Sequence, residues 1–241
     1  MKKYKWQTTY TIFVTIFLLL VSAALCVVFF REGYDTKILT KLGFKDEIKE
    51  TNWAVDGWNN TLRKLDYDAD IVFFGDSITR GSDFRKTFPN TKIINLGYSG
   101  DTLEGMIDRV DGVASVEPEQ VFVMGGINDL TDKNIEECIL MYEELLDEMI
   151  GTLPKTKVFV QSVLPISAEK EKTYCQNSTI VLFNERLKAI ANERGMVYVD
   201  LYSLYEKGGE MDSKLTRDGI HLYSEAYKCW ADAISPFILF K

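Results

Sequence analysis

Five short apolar runs, each rich in Val, Ile and Phe, constrain this chain most: residues 70–75, 92–96, 120–125, 157–164 and 196–201. Helical patterns lie among them, clearest over 134–152 and 179–193, and a last amphipathic stretch covers 224–238. A strand that is apolar at nearly every position must be covered on both faces. Helices alternating with such strands supply the two covering layers. The expected fold is therefore α/β, in three layers, with a parallel sheet of about five strands. At 241 residues and 46% hydrophobic, the chain has enough apolar matter for one substantial core.

From Trp6 to Phe30 no residue is charged, a run of 25 positions, and about 20 apolar residues suffice to cross a bilayer as a helix. The expectation is a membrane anchor over 1–31, then a linker and leading helix over 32–67, then the main domain over 68–241. Trp53 and Trp58 would mark the apolar side of that leading helix, over 46–65. A cleaved signal, giving a secreted protein, is the alternative. Ser22-Ala23-Ala24 imitates a cleavage site, but Leu25 to Phe30 carries the apolar run past it. Lys2, Lys3 and Lys5 favour a cytoplasmic N-terminus, which would turn the main domain outward. Net charge is −8, although the first 31 residues hold four cations and no acid. A main domain that acidic is poorly equipped to grip phosphate backbones, so nucleic acid is not expected as a partner.

His221 is the single histidine, and Cys26, Cys138, Cys175 and Cys229 show no C-x-x-C spacing. No zinc or other metal site is expected, and no cofactor. The cysteines read as buried free thiols, with one pairing left open.

In parallel sheets ligands bind beyond the carboxyl ends of the strands, so the loops after the apolar runs carry the functional reading. They are Gly75-Asp76-Ser77-Ile78-Thr79, the stretch Asn95 to Thr102 (NLGYSGDT), Gly125-Gly126-Ile127-Asn128-Asp129, and Asp218-Gly219-Ile220-His221 before the final helix. Acyl transfer needs a nucleophile, a base, a group that orients the base, and donors for an oxyanion. Ser77, between a strand and a helix, has a hydroxyl at the sheet edge and a backbone N–H at a helix start. Gly100 lacks a Cβ, so its N–H can approach a substrate closely. Asn128 offers a neutral NH2 donor. His221 is the one imidazole available as base, and Asp218, three residues earlier, is placed to fix its tautomer. Each loop alone also reads as a turn, Asn128-Asp129 as a helix cap, and Asp218 to His221 as a junction. Four such loops in chain order, each after the expected element, favour chemistry.

Those blocks resemble the SGNH (GDSL) hydrolase family over about residues 68–238. Gly75-Asp76-Ser77 within FFGDSITRG is similar to the first block and NLGYSGDT to the second. Gly126-Ile127-Asn128-Asp129 fits G-x-N-D, and Asp218 to His221 fits D-x-x-H. The resemblance implies a flavodoxin-like sheet and metal-free, serine-dependent ester hydrolysis. It assigns Ser77 as nucleophile, His221 as base and Asp218 as its orienter. Ser77 N–H, Gly100 N–H and Asn128 become the oxyanion hole.

Rival readings fare worse. Thr79 stands two residues after Ser77, so the G-x-S-x-G elbow is missing, and no Gly-Lys-Ser/Thr follows the glycines. A receiver domain around Asp76 lacks an evident second carboxylate for magnesium. Acyl transfer to an acceptor other than water, and an inert surface binding domain, remain as alternatives. For the substrate, the charged segment Ile166 to Cys175 is expected to lie over the site, with Tyr98 and Trp230 as candidate pocket residues or core. The expectation is a small-molecule or carbohydrate ester with short acyl groups, such as O-acetyl. A lysophospholipid is the runner-up.

Overall fold

A computed structural model describes residues 68–238. The anchor over 1–31 and the linker and leading helix over 32–67 lie outside the described residues. Among those described, no helix is long and apolar enough to cross a membrane.

The core is one five-stranded parallel sheet built from β1 (Ile71–Gly75), β2 (Ile93–Gly97), β3 (Gln120–Met124), β4 (Lys157–Gln161) and β5 (Val197–Val199). Its order is β2-β1-β3-β4-β5, the flavodoxin-like arrangement. The chain steps outward from β1 to β2, then returns to the other side of β1 as β3. The crevice at the carboxyl ends of β1 and β3 is therefore the switch point where such sheets hold ligands. Every residue of β1 and β3 is buried, as the continuous apolar runs require.

One face of the sheet carries a row of aromatics set by strand register. Phe73 lies opposite Phe122, and Phe122 opposite Phe159. Their ring centroids are 5.2 and 4.4 Å apart. Phe84 and Trp230 continue this layer, with centroids 5.7 Å apart. On the other face, α2 (Leu103–Asp108) and α3 (Val110–Ala114) pack with the long α5 (Ile135–Thr152). Asn134 caps α5 by accepting the Glu137 N–H at 3.0 Å.

Two boundaries differ from the sequence expectation for identifiable reasons. The fourth apolar run, expected to 164, ends as a strand at Gln161, because its neighbour β5 ends at Val199. Beyond that point Asn184 substitutes for a strand, accepting the Val163 N–H at 2.8 Å and donating to the Val163 carbonyl at 2.9 Å. After α6 (Asn177–Glu193) and the short α7 (Tyr202–Tyr205), the last helical stretch, expected over 224–238, is α-helical only over Tyr227–Ile234 (α8), with 3-10 turns at either end. Pro236 lacks the N–H that would continue the helix. A hairpin pairing Glu206–Lys207 with Glu210–Met211 turns on Gly208 and Gly209, both at positive φ. Cys138 and Cys175 are buried free thiols, whereas Cys229 is free but exposed, contrary to expectation.

Candidate active site

Ser77 opens the four-residue helix α1 (Ser77–Arg80) directly after β1. The β1 end must be glycine, since a Cβ on Gly75 would collide with the Met124 carbonyl of β3. Asp76 caps α1, its carboxylate accepting the Ile78 N–H at 2.9 Å. Burial is the main influence on Asp76 and, helped by the nearby Asp101 carboxylate, pushes it up to about 6 against the backbone bonds that favour its charge. As the first helical residue, Ser77 has an N–H without an intrahelical partner.

The Ser77 hydroxyl lies 2.9 Å from His221 Nε2. On the other side of the ring, His221 Nδ1 lies 2.8 Å from Asp218 Oδ2. Asp218 Oδ1 accepts the N–H groups of Ile220 at 3.1 Å and His221 at 2.8 Å, which locks the carboxylate in the turn. Burial works to raise Asp218, but those donors and the imidazole outweigh it and draw it down to about 2. Asp218 is thus an acceptor only. The Nδ1 atom must carry the ring proton, and the Nε2 lone pair faces Ser77.

The turn holding this pair is over-determined. Gly219 has φ +89°, and a side chain there would strike Ser167. The Thr216 hydroxyl donates to the His221 carbonyl at 2.8 Å and accepts the Gly219 N–H at 2.9 Å. Tyr227, on α8, donates from its hydroxyl to the Ile78 carbonyl at 2.6 Å. The helix after His221 is thereby bolted to the helix that carries Ser77.

The remaining candidates lie on adjoining loops. Gly100, after β2, has φ +73°, and a Cβ there would meet nothing within 4 Å. The left-handed backbone, rather than crowding, is what calls for glycine. Asn128 precedes α4 (Asp129–Asp132) but its side chain does not cap it, which removes the capping alternative. Its Nδ2 instead donates to the Asp101 carbonyl at 2.7 Å, one residue from Gly100, and keeps a second hydrogen. The structure so brings together Ser77, His221 and Asp218, and joins Asn128 to the Gly100 loop.

Several residues of the site carried no role at the level of sequence. Arg109 is buried and forks onto the Asp101 carboxylate, while donating to the Leu96 carbonyl at 2.9 Å and the Gly75 carbonyl at 3.3 Å. It ties the ends of β1 and β2 to the Gly100 loop. Asp129 accepts the Leu103 N–H at 2.9 Å and holds the start of α2. Nothing local distinguishes Arg109 from a surface arginine, and at the level of sequence Asp101 within NLGYSGDT had no partner. Trp230, a pocket candidate, is fully buried and donates to Gln161 Oε1 at 2.6 Å, so it belongs to the core. Tyr98 is half-buried beside Arg109. The charged segment Ile166 to Cys175 meets the site at its edge, with the Ser167 N–H donating to the Gly219 carbonyl at 2.9 Å.

The chain is 23% identical over 190 residues to an N-acylneuraminate cytidylyltransferase of Streptococcus agalactiae serotype V, covering 78% of this chain and 43% of that protein. It thus spans less than half the length of that relative. Among solved structures, a proposed platelet activating factor from Streptococcus pneumoniae superposes with TM-score 0.70 at 20% identity, covering 83% of this chain and 98% of that one. An acetyl xylan esterase gives TM-score 0.60 at 20% identity, covering 70% and 99%. At these identities the structural likeness establishes the fold. Residues 73–229 match the family model itself, and the chain belongs to the GDSL-like Lipase/Acylhydrolase family.

Proposed function

We propose that this protein is a serine esterase that removes short acyl groups, such as O-acetyl, from carbohydrate by way of an acyl-enzyme. The observation that carries the reading is the unbroken relay from Ser77 Oγ through the imidazole of His221 to Asp218, with separations of 2.9 and 2.8 Å. The Ser77 oxygen attacks the ester carbonyl carbon as its proton passes to His221 Nε2. The carbonyl π electrons move to oxygen, where the N–H groups of Ser77 and Gly100 and the amide of Asn128 are the assigned donors. As the tetrahedral centre collapses, the alcohol leaves with the proton from His221. Water, deprotonated by the same nitrogen, then attacks the acyl-serine and releases the carboxylic acid and Ser77.

Support for a carbohydrate ester comes from the acetyl xylan esterase among the neighbours and from relatives named for an N-acylated sugar acid. The apolar run from Trp6 to Phe30 supports an outward-facing, membrane-anchored enzyme. The test uses the full chain with p-nitrophenyl acetate and a fluorophosphonate label. The wild type should hydrolyse the ester and take the label, and Ser77→Ala should do neither. Undiminished turnover by Ser77→Ala overturns the serine mechanism.

A further inference from the structure

A cavity of about 530 Å³ borders the relay at Asp218 and Gly219. It lies between the hairpin at 206–211, the turn that follows it, and the loop after β4. We propose that this cavity seats the saccharide of an O-acylated substrate while the acyl carbon lies at Ser77. The inference rests on the serine-esterase reading and adds the place and chemistry of the leaving group.

The lining carries the argument. Met211 is its one apolar member, and it is buried. An acyl chain entering there would strip water from charged heads without replacing their hydrogen bonds, which is costly. A hydroxylated ring has the opposite effect, since each hydroxyl both donates and accepts. Cations and carboxylates both line the cavity. Arg217 stands 3.6 Å from Asp218, and Lys207 stands 3.7 Å from Asp212. Glu169 and Lys214, both exposed, make no ion pair among the described residues. A carboxylate from the loop after β4 and an ammonium from the turn after the hairpin, both left open, fit sugar hydroxyls, one accepting from them and the other donating to them. The volume falls in the range of small-molecule sites, roughly 300–1,000 Å³. Only two hydrogen bonds and one imidazole ring separate the Asp218 rim from the Ser77 oxygen. The His221 side chain between them is 27% exposed, so an acylated sugar seated at the rim reaches Ser77 over the edge of the imidazole.

The experiment compares full-length wild type, Lys214→Ala and Glu169→Gln on three esters: p-nitrophenyl acetate, acetylated xylo-oligosaccharide and O-acetylated N-acetylneuraminate. Each substitution should raise KM for a saccharide ester about tenfold, the effect of losing one hydrogen bond to a charged group. The value of kcat, and all kinetics on p-nitrophenyl acetate, should stay unchanged. The saccharide whose KM moves identifies a neutral or an acidic sugar. Saccharide KM values unmoved in both variants overturn the cavity assignment. So does a wild type that cleaves p-nitrophenyl acetate and neither saccharide. A wild type inert to p-nitrophenyl acetate and to the fluorophosphonate label removes the serine reading itself, and the cavity assignment with it.

Discussion

Asp218 and Asp76 are both carboxylates at the site, and their surroundings drive them in opposite directions. Asp218, met by two backbone N–H groups and the imidazole, stays ionised and fixes the His221 tautomer. In Asp218→Asn the amide oxygen can keep the backbone bonds of the turn, but its NH2 faces Nδ1 and favours the wrong tautomer. The expected result is a loss of kcat of about 10³–10⁴-fold with only a small drop in melting temperature, measured by steady-state kinetics and calorimetry. Asp76 is raised by burial, so folding favours its neutral form. Its contribution to stability is full below the ordinary carboxylate value and is lost as pH rises through about 6. Between pH 4 and pH 7.5 the wild type should lose about 2 kcal/mol relative to Asp76→Asn, whose oxygen can still accept the Ile78 N–H; paired urea titrations measure the difference. The residue types at these positions were legible in the sequence, because FFGDSITRG and the D-x-x-H block state them outright. The opposed shifts were not. They depend on which N–H groups and which burial each carboxyl meets.

Among the elements, three joints position the site: α8 on α1 through Tyr227, the β1 and β2 ends on the Gly100 loop through Arg109, and the start of α2 on Asp129. Tyr227→Phe removes one bond of 2.6 Å, and should cost about 1 kcal/mol of stability. The larger effect should fall on kcat, since the loop bearing His221 is then less firmly held against Ser77; kinetics beside a urea midpoint separate the two. Arg109→Ala leaves the buried Asp101 carboxylate without its partner and should cost about 3–5 kcal/mol in the same measurement. The strands and long helices were readable from apolar periodicity to within a few residues. The joints were not, because a tyrosine hydroxyl or a guanidinium reaches partners that no local pattern marks. The Gly208-Gly209 hairpin had a local signal in its paired glycines, which the apolar pattern alone passes over.

At the scale of the fold, Ser77 and His221 stand 144 positions apart and meet only because the sheet is complete. The aromatic row Phe73, Phe122 and Phe159 crosses its three central strands. Phe122→Ala should cost about 3–5 kcal/mol, and the midpoints for loss of activity and loss of far-UV circular dichroism should fall together in urea. Residues 68–238 carried their class in the sequence: runs apolar at nearly every position cannot face water, and helices between them leave a covered parallel sheet as the outcome. The four polar loops were likewise written there, since chemistry demands particular side chains wherever the fold puts them. Strand order and the pairing of Ser77 with His221 were expected through the family resemblance, but the 2.9 Å approach of the two side chains belonged to the tertiary structure. So did the buried place of Trp230, the turn of Asn128 toward Asp101, and the cavity beside Asp218. Periodicity records which face of an element avoids water, but contacts between distant segments depend on how whole elements stack, and that is settled only when the core closes.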